Sequence, residues 1–181
     1  MAISPFEERY KTEMNGIFED RSKLGRWMAV EVSLAKAHAK LGKIPKDAPG
    51  RIEAAAKKVS LERVLDIESQ IHHDLMAMVK ALSEQAGEAG NYVHLGATSY
   101  DIEDTATALM FIDAIDLLDK RLSSLGDVLK KLSGDHAETV CVGRTHGQHA
   151  VPTTYGMKFA LSYQELKRSR ERLARCRAGI A

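Results

Sequence analysis

The spacing of apolar side chains predicts a mostly helical chain. Residues 20–42 carry apolar side chains at helical spacing, which is typical of a helix with one buried face. Gly42 and Pro45 predict where this helix ends. A second helical pattern runs without interruption over residues 61–82. Between the two patterns we expect a polar linker.

Two longer helical patterns occupy the rest of the chain. Thr98, followed three residues later by Asp101, resembles a capping box and predicts the start of a third helix, which ends near Gly134. After a loop, we expect a fourth helix to start at Pro152, since proline suits the first turn of a helix. Only residues 140–142 have a strand-like pattern. The predicted fold class is therefore all-α.

These helices divide into two predicted domains. Residues 1–96 are expected to form a small N-terminal helical domain, and residues 97–181 the first two long helices of a helical bundle. Two long helices bury too little apolar surface by themselves. We therefore expect further helices from sequence outside this chain or from other chains, and we interpret the second domain as truncated.

Composition narrows the possible partners and the compartment. With 44% hydrophobic residues the chain can support a real core, and a net charge of +1 gives no reason to expect a nucleic-acid or membrane partner. Cys141 and Cys176 fit no zinc or redox spacing, which suits a reducing cytosol. The sequence shows no secretory leader and no apolar run of the roughly 20 residues that a membrane span requires. We expect a cytoplasmic protein.

The first two candidate sites are polar clusters in the N-terminal half. Arg9 and Tyr10 could hold a phosphate, although an ordinary solvated Arg beside a packing Tyr is the alternative. His72, His73 and Asp74 lie within the second helical pattern, where neighbouring side chains point about 100° apart. At most one histidine would then face a given pocket. The alternative is one buried and one surface histidine, and a metal site is disfavoured.

The third cluster is 93-VHLGATSYD-101, at the predicted start of the third helix. Free backbone N–H groups at a helix start bind anions, and the hydroxyls of Thr98 and Ser99 could bind a carboxylate or a phosphate. Simple capping of the helix is the alternative. The two interpretations are compatible, because a capping residue can also contact a ligand.

The fourth cluster is 143-GRTHGQHAVPTTYG-156. His146 and His149 have an HxxH spacing, but Gly147 and Pro152 argue against a regular helix that would place both on one face, so zinc binding is disfavoured. A histidine that acts as general acid or base in a loop before a helix is the functional interpretation. A structural hydrogen bond is the alternative.

Taken together and in this order, the four clusters resemble the fumarase/aspartase superfamily, and most closely the adenylosuccinate lyase family. The combination is more specific than any one cluster, and it spans most of the chain. The Arg-Tyr pair and the HHD triplet favour adenylosuccinate lyase over argininosuccinate lyase and fumarase. The matching segments are Arg9-Tyr10, 72-HHDL-75, 93-VHLGATSYD-101 and 143-GRTHGQHAVPTTYG-156.

The resemblance implies a β-elimination that releases fumarate. The substrates would be adenylosuccinate, which gives AMP, and the succinylcarboxamide ribonucleotide of the inosinate branch of purine synthesis. The family uses no metal ion and no organic cofactor. Its sites are assembled from three subunits of a homotetramer, so the implied partners are a small-molecule nucleotide substrate and other copies of the same chain.

The resemblance also implies roles for individual residues. His146 matches the catalytic acid that protonates the departing nitrogen, and Thr145 supports the substrate. Thr98 and Ser99 match contacts to the succinyl carboxylates. The other implied substrate-binding residues are Arg9 and Tyr10 on the phosphate side, His72, His73 and Asp74, with His73 nearest the reacting centre, and His94, which shapes the site.

One element of the family pattern is missing from this sequence. The family's base is a serine on a glycine-rich loop, and its SS-x-x-M-P signature does not occur in these residues. We therefore expect this chain to be a fragment without lyase activity of its own. Another superfamily lyase, such as an argininosuccinate lyase or a carboxymuconate cycloisomerase, is one alternative. A non-catalytic helical module that binds a nucleotide or a partner helix is the other.

Overall fold

The computed structural model describes residues 9–180, which form two compact units that divide between Phe111 and Ile112. Over its described residues, 9–111, the first unit contains helices and no strand. Its elements are α1 (Glu13–Phe18), α2 (Asp20–Lys40), α3 (Ala48–Ala56), α4 (Leu61–Ile71), α5 (Asp74–Ala86), a 3₁₀ helix (Gly87–Tyr92) and the first part of α6 (Ser99–Asp135).

The core of the first unit lies between α2, α3 and α5. Helix α2 packs against α3, and α5 packs against both α3 and α4. Fully buried side chains at the centre include Ile52, Leu75, Met78 and Leu82. Each large apolar side chain that is removed from water contributes about 1.5–3 kcal/mol to the stability of the unit. The helix predicted over residues 20–42 is confirmed as α2.

Helix α3 corrects the predicted polar linker. Pro49 lies in the first turn, where its fixed φ suits a helix and its missing N–H costs nothing. Ile52 and Ala55 then bury one face against the core. Pro49 and Gly50 are typical of a loop, and a glycine inside a helix costs about 1 kcal/mol relative to alanine. Burial of the apolar face of α3 outweighs that cost.

The uninterrupted helix predicted over residues 61–82 is also wrong. The chain breaks at His72, which takes a left-handed conformation with φ of +54° at the end of α4. His73 then becomes the N-cap of α5, and its ring accepts a hydrogen bond from the backbone N–H of Met76 at 3.4 Å. Apolar spacing hid the break, because only two residues separate the helices.

The second unit contains a hairpin between two helices. Strand β1 (Val140–Thr145) pairs antiparallel with β2 (Gln148–Thr154), and α7 (Tyr155–Ile180) follows. A register shift lies at Gly143. The all-α class is confirmed, with this small hairpin as an addition. The predicted domain boundary between residues 96 and 97 stays a prediction.

Pro152 does not start the fourth helix as predicted. It lies in β2 opposite Val142, in a two-stranded hairpin where a missing N–H is tolerated. The helix starts three residues later, at Tyr155. Thr154 caps it by accepting a hydrogen bond from the N–H of Met157 at 3.1 Å.

Two charged pairs join α6 to α7 within the second unit. Arg170 donates two hydrogen bonds to Asp119, at 2.7 and 2.9 Å. Arg177 donates two to Asp116, at 2.6 and 2.9 Å. These paired contacts fix the register of the helices. No helix over residues 9–180 combines the length and the apolar character that a membrane span requires.

Candidate active site

The segment that leads into α6 is held by two side chains of α2. The backbone N–H of His94 donates to Glu31 Oε2 at 2.9 Å, and His94 Nδ1 lies 2.6 Å from Glu31 Oε1. One residue on, His38 Nε2 lies 2.8 Å from the carbonyl oxygen of Leu95. Glu31 and His38 are two helical turns apart, so one face of α2 fixes this segment at two consecutive residues.

The start of α6 leaves two hydroxyl groups available. The N–H of Thr98 donates to Asp101 Oδ2 at 2.8 Å, which is one half of the predicted capping box. Thr98 is exposed and Ser99 is half-buried, and neither hydroxyl makes a hydrogen bond within residues 9–180. Together with the free N–H groups of the first turn, these hydroxyls can bind a carboxylate or a phosphate.

The His72-His73-Asp74 cluster lies at the junction of α4 and α5, not inside a helix as predicted. Both histidines are exposed, so the interpretation with one buried histidine is wrong. His73 Nδ1 accepts the N–H of Met76, which places the ring hydrogen of neutral His73 on Nε2. The Asp74 carboxylate accepts from the N–H of Leu75 at 2.8 Å. Within the described residues, no hydrogen bond joins this cluster to Thr98 or Ser99.

His146 lies at the tip of the hairpin. With Gly147 it forms a two-residue turn in which both residues have positive φ, +52° and +72°, as a type I′ turn requires. Thr145 and Gln148 close the turn as paired residues, and His149 lies opposite Arg144. His146 is exposed. The predicted loop is therefore a tight hairpin turn that presents one histidine to its surroundings.

Left-handed backbone links three of the predicted segments. Among the described residues, the non-glycine positions with positive φ are His72, His94 and His146. An L-residue in this conformation costs about 1–2 kcal/mol, and such strain clusters at functional sites. This shared property is not visible in the sequence, because a left-handed conformation is uncommon for any non-glycine residue even though histidine is several-fold enriched there.

Arg9 and Tyr10 lie just before α1 and are exposed. Tyr10 retains 57% of its surface. Over the range 9–180, no three His, Cys, Asp or Glu side chains converge as metal ligands.

A cavity of about 400 Å³ lies between α6 and α7 in the second unit. Its walls carry Asp116, Asp119, Arg170 and Arg177, which pair with one another. In each pair the guanidinium hydrogen bonds lower the pKa of the carboxyl group below its ordinary value. No predicted site residue lines this cavity.

Glu31 is the contributor that the sequence interpretation missed. It lies on the buried face of α2, one turn beyond Trp27 and next to Val32, where an apolar residue is expected. A single carboxylate on an otherwise apolar helical face was the available signal. Such a group requires a buried partner, and the structure identifies that partner as His94.

Comparison with known proteins identifies the family of this chain. A family model described as Lyase matches residues 8–181. The adenylosuccinate lyase of Pyrococcus abyssi is 54% identical over 96% of this chain and 39% of its own length. That of Bacillus subtilis is 40% identical over 96% of this chain and 40% of its own length. The chain thus spans about 40% of the length of these curated relatives.

Solved structures also resemble this chain over most of its length. A fumarate lyase from Mesorhizobium sp. BNC1 matches with a TM-score of 0.85 and 40% identity, over 90% of this chain and 39% of its own. The 3-carboxy-cis,cis-muconate lactonizing enzyme from Pseudomonas putida matches with a TM-score of 0.88 and 37% identity, over 97% of this chain and 42% of its own. Since the family model covers nearly all of the sequence, this chain belongs to the lyase family.

Proposed function

We propose that the protein containing this chain is an adenylosuccinate lyase. It eliminates fumarate from adenylosuccinate to give AMP, and from the succinylcarboxamide ribonucleotide of purine synthesis. The observation that supports the proposal is the match of residues 8–181 to the Lyase family model. The left-handed backbone at His72, His94 and His146 marks three of the motif segments. The names of the curated relatives at 40–54% identity supply the substrate.

The reaction breaks a C–N bond and removes a proton from the neighbouring carbon. His146 donates a proton to the departing nitrogen, a task that suits an exposed imidazole near neutral pH. Negative charge develops on the succinyl group, where Thr98, Ser99 and the N-terminus of α6 supply hydrogen-bond donors. Thr145, next to the acid, supports the substrate.

The remaining predicted residues bind the nucleotide. Arg9 provides a planar set of donors for the phosphate, and Tyr10 adds a hydroxyl. His73 presents Nε2–H, since its Nδ1 caps α5. We assign His73 the place nearest the reacting centre. His72 and Asp74 hold that segment, and no metal ion or organic cofactor takes part.

The catalytic base lies outside this chain. We propose that these residues are the N-terminal part of a cytoplasmic homotetramer in which another segment supplies the serine that removes the carbon-bound proton. Residues 1–96 form the N-terminal domain and residues 97–181 begin the bundle domain. The isolated chain accordingly has no lyase activity, and fumarate release by the purified chain would overturn this part of the proposal.

A second candidate is a cycloisomerase that acts on carboxymuconate. It is favoured by the likeness to the lactonizing enzyme of Pseudomonas putida, with 37% identity and a TM-score of 0.88. Product analysis of the whole gene product with both substrates separates the candidates. AMP and fumarate from adenylosuccinate support the first, whereas turnover of carboxymuconate alone supports the second.

A further inference from the structure

Glu31 is a buried charged side chain without a place in the proposed chemistry. Over residues 9–180 it is the charged residue that has lost nearly all its surface, with 1% exposed. Burying an ionised carboxylate is costly unless hydrogen bonds replace its water. Both replacements come from His94, one from the backbone N–H and one from the ring.

The two contacts determine which ring nitrogen carries hydrogen. An ionised carboxylate has no hydrogen to give, so each atom that faces it must donate. The Nδ1 atom of His94, 2.6 Å from Glu31 Oε1, therefore carries a hydrogen. The His94 side chain retains 13% of its surface, and the edge that bears Nε2 lies away from the carboxylate. Nε2 is the nitrogen that remains for a ligand.

We propose that Glu31 is a positioning residue for the lyase reaction: it holds His94 in the Nδ1–H form and directs Nε2 to the substrate. The inference rests on the proposed function, with His94 taken as a substrate-binding residue as the family resemblance implies. Carboxylate–histidine pairs in other enzymes fix ring orientation and tautomer in this way.

A purely structural role for Glu31 would need fewer hydrogen bonds than Glu31 makes to His94. Anchoring the segment before α6 needs only the bond to the backbone N–H of His94, and His38 supplies a second anchor at Leu95. The additional bond to the ring fixes no backbone atom. It fixes the orientation and tautomer of the side chain, which lies four residues before the hydroxyl of Thr98.

Glu31→Gln tests this role with little change in shape. The amide oxygen can still accept from the backbone N–H, but the NH₂ group then faces Nδ1 and forces the hydrogen onto Nε2. In the whole gene product we expect kcat/KM for adenylosuccinate to fall about 10–100-fold. In a His94→Ala background the same substitution should change kcat/KM less than about twofold, because the ring it acts on is gone.

A second measurement does not depend on the substrate. Nitrogen-15 NMR of histidine-labelled whole protein should assign Nδ1–H to His94 in the parent and Nε2–H in Glu31→Gln, with the His94→Ala variant identifying the signals. If the parent does not cleave adenylosuccinate, the proposed function fails while this readout stands. The positioning role would be overturned if His94 carried its hydrogen on Nε2 in the parent, or if its tautomer were unchanged in Glu31→Gln. It would also be overturned if Glu31→Gln lowered kcat/KM equally in the parent and in the His94→Ala background.

Discussion

Arg170 on α7 and Asp119 on α6 face each other with two parallel hydrogen bonds. Arg177, about two turns further along α7, makes the same contact with Asp116, which lies about one turn before Asp119 on α6. Both carboxyl groups have a pKa below the ordinary value, because the guanidinium hydrogen bonds favour the charged form. The pairs therefore make the α6–α7 contact sensitive to acid.

We expect the stability of the α6–α7 contact to depend on pH. Since the folded-state pKa values are lowered, the stabilisation is present above the unfolded-state pKa of about 4 and is lost as pH falls through the folded values. Asp119→Asn should lower Tm slightly at pH 7, and the difference from the parent should vanish in acid. Asp104→Asn, an exposed change on the same helix, should lower Tm less. An Asp119→Asn difference that persisted or grew in acid would contradict the prediction.

Gly156, near the start of α7, leaves no room for a side chain. A Cβ atom there would lie 2.6 Å from the Ser133 carbonyl oxygen and 2.6 Å from Ala137 Cα. Gly156→Ala should therefore destabilise the protein by about 1–3 kcal/mol, as overpacking does. Thermal unfolding measures the loss.

Gly25 in α2 provides the matched control, because a Cβ atom there meets nothing within 4 Å. Gly25→Ala should raise stability by about 0.5–1 kcal/mol through its effect on the unfolded chain. If Gly156→Ala did not lower stability either, the start of α7 could not lie as close to the end of α6 as the structure places it.

Removing the left-handed strain at His72 should have opposite effects on stability and on substrate binding. Glycine adopts φ near +54° without strain, so His72→Gly should raise the free energy of unfolding by up to about 1 kcal/mol. If the strain is retained for substrate binding, the same variant should raise KM. Chemical denaturation and steady-state kinetics on the whole gene product measure the two effects. A more stable variant with unchanged kinetics would show that His72 does not contribute to substrate binding.

Sequence patterns were sufficient for the long, amphipathic helices and failed where backbone conformation departs from propensity. Helix α2 and the start of α6 were predicted, since apolar spacing and a capping residue agree there. Helix α3 was missed because Pro49 is as compatible with a first helical turn as with a loop. The break at His72 was missed because apolar spacing is nearly continuous across it.

The hairpin depends on contacts between residues that are distant in the sequence. Pro152 suits a helix start, but cross-strand pairing with Val142 decides its place, and pairing depends on residues ten positions away. For the site, the four segments were recognised by resemblance and their individual residues remain predictions. Glu31 was overlooked because its partner lies 63 residues away in the sequence.

The central claim is that the protein is a fumarate-releasing lyase with His146 as its acid. The most direct test measures fumarate and AMP formation from adenylosuccinate by the purified whole gene product and by its His146→Asn variant. Asparagine tolerates the left-handed turn, so the variant should fold. We predict robust turnover in the parent, a loss of about 10²–10⁴-fold in kcat for His146→Asn, and only a small loss for the control His149→Asn. Near-normal turnover in His146→Asn, or no fumarate from the parent, would contradict the account.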